Sequence, residues 1–303
     1  LVLGLLSPVL SDFGYSTSAS KELCPSKNAA DASKKLVIIY PEVQLGRCSL
    51  PDALHVHWML APIGLHTRSP EDMMQKWWHP EDMAFHYGTE SQNSTKIPVP
   101  TSNVLMLARD PHPGDDTDPL VVGTVPEANR SGLAFILRKG PKFHNLMGAL
   151  PHLEFAPDAV KEFDTRLNDA VSHIMSHEYF LSYDPYSFWS LKAAMVGAVS
   201  IVYPLVTHTK EEWVKSFYIG AYLREHNLTL EIPGIAYGWS PEELQYARNT
   251  MHKLRPLLTD AKEWGANVTV KRFVRDSARW YAGARNGFEA GKLARDFYNV
   301  FDG

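Results

Sequence analysis

Residues 181–204 read LSYDPYSFWSLKAAMVGAVSIVYP, and the order of chemistries along them decides the fold class. An apolar segment ends in Asp184, a helix begins near Ser187, and Gly197 turns the chain into the apolar run 199–203. Ala193, Ala194 and Gly197 are small enough to let that helix pack closely on a sheet. A strand with an acid at its carboxyl end, a helix, then a second buried strand make half of a doubly wound parallel sheet. Ligands of such sheets bind outside the carboxyl ends of the strands. Asp184 is therefore expected at a ligand-facing edge.

Working outward, the same alternation recurs on both sides. The run 36–40, LVIIY, is continuous, apolar and β-branched, and Pro41 stops it, as suits a buried parallel strand. The run 133–137, LAFIL, leads straight into Arg138, Lys139, Gly140, Pro141 and Lys142. Short strands are expected at 83–87, 104–107, 153–155 and 234–238. Helices are expected over 1–15, 50–60, 158–175, 209–224, from Ser240, and over 270–298. Ser240 with Pro241 and Glu243 is a start signal in which each residue has a job: cap, first helical position, and return bond. PEDM repeats at 70–73 and 80–83, too short a unit for a repeat protein.

The Pro-, Gly- and Asp-rich segment 109–129 marks a domain boundary. The expected organisation is a first Rossmann-like α/β domain over 1–128, a second over 129–270, and a C-terminal helix over 271–303 that packs back on the first. The first domain is expected to be incomplete at its start, its opening strand preceding residue 1 together with any membrane anchor.

With 303 residues the chain can bury two cores of ordinary size. Its formal net charge of −4 gives no global attraction to nucleic acid. Cys24 and Cys48 are too few for a metal cluster and permit either one disulfide or two separate thiols. Acceptor sequons stand at Asn93, Asn129, Asn227 and Asn267, more than chance suggests, which favours a Golgi or ER lumen over the cytoplasm.

Several constellations carry chemistry. Arg138 and Lys139, at a strand's carboxyl end, suit a diphosphate: the guanidinium forks onto two oxygens and the ammonium adds a point charge. Asp184 and Lys192, eight residues apart around a helix start, can face one pocket, where Ser187 opens the free N–H groups of the first turn. The competing readings are a solvated basic turn and an ordinary helix cap. His55 and His57 would share a face on a strand, but a helical reading of 50–60 splays them, so a metal pair is not expected. One of them, His57, is the candidate general base. Asp116 and Asp118 form a DxD that can hold a divalent cation, in a loop where Asp is common anyway. No GxSxG, Walker A or complete GxGxxG run is present.

Taken together, KLVIIYPEV (35–43), HVHWMLAPIG (55–64), PEDMAFHYG (80–88), FILRKG (135–140), the DPYSF stretch and GIAYG (234–238) resemble a group of microbial and algal proteins of the twin-Rossmann glycosyltransferase type, GT-B. The likeness covers residues 36–250. It implies two Rossmann-like domains facing a cleft, with a hexosyltransferase-like activity that needs no metal and no cofactor. A nucleotide-sugar is the donor; a glycan, lipid or protein is the acceptor. The resemblance places Arg138 and Lys139 on the donor diphosphate, Asp184 at the first acid of an E-x7-E pattern, and Tyr186, Ser187 and Phe188 around phosphate or sugar. Lys192 replaces the second acid, which ordinarily binds ribose. The rival reading is a catalytically silent GT-B-like binding or scaffold subunit.

Overall fold

The computed structural model describes residues 2–5, 36–41, 53–59, 82–86, 104–106, 129–138, 140–144, 160–162, 170–217 and 219–284. In chain order these carry β1 (Val2–Leu5), β2 (Leu36–Pro41), β3 (Leu54–Met59), β4 (Met83–His86), β5 (Leu133–Ile136), α1 (Gly140–Phe143), β6 (Val160–Glu162), α2 (Ala170–Met175), β7 (Tyr179–Ser182) and α3 (Phe188–Met195). They continue with β8 (Val199–Val202), α4 (Lys210–Ser216), α5 (Gly220–Glu225), β9 (Ile235–Tyr237), α6 (Pro241–Thr250), α7 (Leu254–Trp264) and α8 (Val270–Ala284). The protein is α/β, with two sheets whose strands are all parallel. The chain divides into two compact units: residues 1–107 with 263–303, and residues 108–262.

The first unit holds a four-stranded sheet in the order β1-β2-β3-β4, and Val104 adds an isolated parallel bridge to His86. Alternate residues of a strand point to opposite faces. One face, with Ile39, Leu54, Val56 and Phe85, packs on Phe273, Val274 and Ala278 of α8. The Phe85 and Phe273 rings meet edge to face at 4.7 Å, the favoured geometry for aromatic pairs. Before α8 the helix widens into a π-turn, Gly265–Thr269. There the Thr269 hydroxyl accepts the Met106 N–H (3.0 Å) and donates to the Gly265 carbonyl (2.7 Å).

The second unit holds five strands in the order β6-β5-β7-β8-β9. Within this unit the first strand in sequence, β5, therefore lies between the second, β6, and the third, β7. Both faces of the sheet are covered. Ala134, Ile136 and Phe180 pack with Ile174 of α2 and Ala193 of α3, while Leu133, Phe135, Leu181 and Ile201 pack with Ala247 of α6. Covering on both faces is why β5, β7 and β8 are buried along almost their whole length and mainly apolar, with Ser182 and Ser200 as small buried exceptions, rather than alternating. Gly197 turns α3 into β8 at a φ of 88°, and a Cβ there would lie 2.8 Å from the Arg130 guanidinium. That guanidinium bonds the Val196 carbonyl at 2.8 Å, so the turn is locked.

Several expected elements differ. Residues 2–5 form a strand rather than part of a helix over 1–15: a short apolar run has no period of its own, and pairing with β2 settles it. Residues 54–59 also form a strand, not part of a helix over 50–60, since Leu54, Val56 and Trp58 alternate with His55 and His57. The expected helix 158–175 contains strand β6 and is helical only from Ala170. The helix over 209–224 breaks into α4 and α5 around Phe217, whose extended backbone ends α4. The expected strand 153–155, Cys24, Cys48, Asp116 and Asp118 lie outside the described residues.

Candidate functional site

In a doubly wound sheet the crevice forms where strand order reverses, because the loops on either side of that point leave in opposite directions. In the second unit this point lies between β5 and β7. Arg138 follows β5 and the turn 183–187 follows β7, so two of the sequence-derived constellations come from the two strands that flank the reversal.

The two loops touch. A Cβ on Gly140 would lie 2.5 Å from the Cβ of Tyr183, so only glycine permits this approach. His144 Nε2 lies 3.0 Å from the Tyr183 carbonyl, and the His144 ring packs edge-on against Tyr203, centroids 4.9 Å apart. Arg138 is exposed and adopts a φ of 39°, a left-handed conformation that costs a non-glycine residue roughly 1 kcal/mol. Backbone outliers of this kind cluster at functional sites.

Asp184 is buried, and its Oδ1 accepts the Tyr186 N–H at 3.3 Å, closing the turn that precedes α3. The Ser182 hydroxyl donates to the Asp184 carbonyl at 2.7 Å. Ser187 is the N-cap of α3: its hydroxyl accepts the Trp189 N–H at 3.2 Å, a bond that contributes about 1 kcal/mol. The Asp184 carboxylate that the sequence suggested for a ligand thus shapes the turn, and the Ser187 hydroxyl takes up one of the first-turn N–H groups expected to be free. Phe188 is exposed and Tyr186 half-buried. Lys192 folds back along α3, its Nζ 5.1 Å from the Trp189 ring centroid and 5.9 Å from that of Phe188. Its ammonium thus stands over aromatic faces, while Lys192 itself belongs to the last turn of α3. Lys139 lies outside the described residues.

Residues with no signal in the sequence brace this turn. Trp213 of α4 is fully buried, donates its indole N–H to the Pro185 carbonyl at 2.7 Å, and stacks on Tyr237. The Tyr237 hydroxyl donates to the His208 carbonyl at 2.8 Å, and burial raises its pKa above the ordinary phenol value. Tyr237 stands within GIAYG; Trp213 and His144 had no motif to mark them.

The first unit carries a second cluster. Tyr40, His55, His57, Asp82 and His86 are buried, and by strand alternation and pairing the first three share the face of the sheet opposite α8. His57 Nε2 lies 3.0 Å from Asp82 Oδ2, and the Tyr40 hydroxyl shares a 2.8 Å hydrogen bond with His55 Nδ1. The Tyr40 ring stacks on both imidazoles. The two histidines are not splayed; a strand sets them side by side. Burial lowers the pKa of His86 to about 4.

Among the described residues no group of three or more His, Cys, Asp or Glu is placed to hold a metal ion, and no helix is long and apolar enough to cross a membrane. Of the sequons, Asn129 and Asn227 are exposed, and Asn227 sits in a turn at a φ of 52° with Leu228 and Thr229 exposed beside it. Asn267 is exposed, but Thr269 is buried in the π-turn; Asn93 lies outside the described residues.

Comparison with known proteins finds no match to this chain among family models, curated proteins or solved structures.

Proposed function

We propose that this protein is a metal-independent glycosyltransferase of GT-B type that binds a nucleotide-sugar at the carboxyl edge of its second sheet. The observation that carries the reading is the reversal between β5 and β7, flanked by the strained, exposed Arg138 on one loop and the α3 first turn on the other. Arg138, with Lys139, would take the diphosphate, and the first-turn N–H groups of α3 would add their dipoles. Phe188 and Tyr186 supply aromatic faces for a sugar or base.

In the reaction, the bond from the sugar's anomeric carbon to the phosphate oxygen breaks and a bond to an acceptor hydroxyl forms. Fixed positive charge stabilises the departing nucleoside diphosphate. The acceptor proton passes to a base, for which His57, oriented by Asp82, is the candidate in the first unit. The twin-domain GT-B arrangement and residence in a secretory lumen belong to the same proposal.

A silent GT-B-like subunit is the second reading. What favours it is that Asp184 and Ser187 are engaged in their own turn. Calorimetry with UDP-glucose, GDP-mannose, UDP and GDP separates the two. Binding is expected, insensitive to EDTA, and about a hundredfold weaker in Arg138→Ala/Lys139→Ala, two charge-assisted contacts being lost. Absence of binding to any of them by the intact chain would sink the transferase reading.

A further inference from the structure

Among the described residues, His144 is the histidine that stands at the reversal point. Its Nε2 is held at the Tyr183 carbonyl, 3.0 Å away, so that nitrogen carries the proton and donates. In a neutral imidazole the other nitrogen, Nδ1, is then a bare acceptor. Nδ1 is buried and has no hydrogen-bond partner among the described residues, although His144 as a whole is only 5 % exposed. An unsatisfied buried acceptor is costly, and native structures keep few of them without a reason.

The surroundings point to what would satisfy it. The ring stands at the carboxyl ends of β5, β7 and β8, edge-on to Tyr183 and to the half-buried Tyr203. Gly140, four residues earlier, brings its loop against Tyr183. Phosphate oxygens accept hydrogen bonds and so cannot pair with a bare Nδ1; a hydroxyl can donate to it.

We propose that His144 Nδ1 is a specificity contact of the donor site, accepting a hydrogen bond from a hydroxyl of the nucleotide-sugar beside its diphosphate. The proposal rests on the nucleotide-sugar reading above. Burial lowers the His144 pKa, against an opposing pull from its hydrogen bond to Tyr183, and so keeps the ring in the neutral form that the contact needs.

Two substitutions separate a binding role from a packing role. His144→Gln can keep a donor near the Nε2 position for the Tyr183 carbonyl while removing the δ acceptor. His144→Asn does the reverse. The intact protein and both variants are titrated calorimetrically with UDP-glucose, GDP-mannose, UDP and GDP, and their thermal transitions are recorded. The expected result is that Gln weakens binding about five- to tenfold, one hydrogen bond's worth, with little change in Tm, while Asn lowers Tm and retains affinity. Loss confined to the nucleotide-sugars assigns the sugar hydroxyl; equal loss with the free diphosphates assigns the ribose. If the wild type binds a probe and His144→Gln binds it equally well, the inference is overturned and the donor-site reading stands. If no probe binds the wild type, both fall together.

Discussion

The two parallel sheets are built from similar strands, yet they differ in order and in what they bury. The first runs β1-β2-β3-β4, the order of the sequence, with no reversal among the described residues; the second runs β6-β5-β7-β8-β9 and reverses beside β5. The first gives one face to an apolar contact with α8 and carries Tyr40, His55 and His57 on the other. The second packs apolar side chains on both faces, and Arg138 and the turn 183–187 follow its strands at the carboxyl edge. Strand order thus decides where a ligand crevice can open. Face polarity decides where titratable groups are buried and must hold one another.

That difference can be broken experimentally. The largest effect is expected at Asp82. Replacing it with Ala removes the carboxylate from a buried imidazole and should destabilise the first unit by about 3 kcal/mol. Urea denaturation followed by hydrogen exchange in β3 and in β7 reads the effect unit by unit. Equal loss in both sheets would mean that the polar cluster does not belong to the first sheet's own stability.

Next comes pH. The folded pKa of His86 is depressed from 6.5 to about 4, so folding favours its neutral form. Its stabilising contribution is complete above pH 6.5 and is lost as pH falls towards 4, a change of roughly 3 kcal/mol at most. His144 contributes with the same sign in the second unit. Hydrogen exchange corrected for intrinsic rates should show β4 losing protection across this window. Constant protection of β4 between pH 7 and 4 would contradict the assignment.

The smallest of the three is Gly140→Ala. The added methyl meets Tyr183 Cβ at 2.5 Å, and pushing the two loops apart should cost about 2 kcal/mol. The effect should concentrate at β5 and β7 and leave β2 and β3 protected. A variant as stable as the parent would show that the loop contact at the reversal point is slack.

Much of the second unit was legible in the sequence. The runs at 133–137 and 199–203 read as strands because both faces of a parallel sheet demand apolar side chains. The helix starts near Ser187 and at Ser240 were legible because a helix start is local chemistry, and each hydroxyl accepts an N–H from its own first turn. The first unit was less legible. Residues 2–5 are too few to show a period, and the alternation of Leu54, Val56 and Trp58 with His55 and His57 was the overlooked sign of a strand. At the candidate site, Arg138 and the 183–188 turn were legible as strand-end chemistry. His144 and Trp213 were not, since each acts across 39 and 28 residues of intervening chain.

The sequence by itself therefore determined the α/β class, the strand-end placement of Arg138 and Asp184, and the start of the helix at Ser187, because each depends on neighbours within a few residues. Only the tertiary structure decided that β5 lies beside β7, that His57 meets Asp82, and that the His144 ring stands under the Tyr183 carbonyl. These are pairings between distant segments, set by the order in which parallel strands join the sheet. A crossover can carry the chain to either side of a strand without changing the local pattern, so that order is settled by packing of the whole unit.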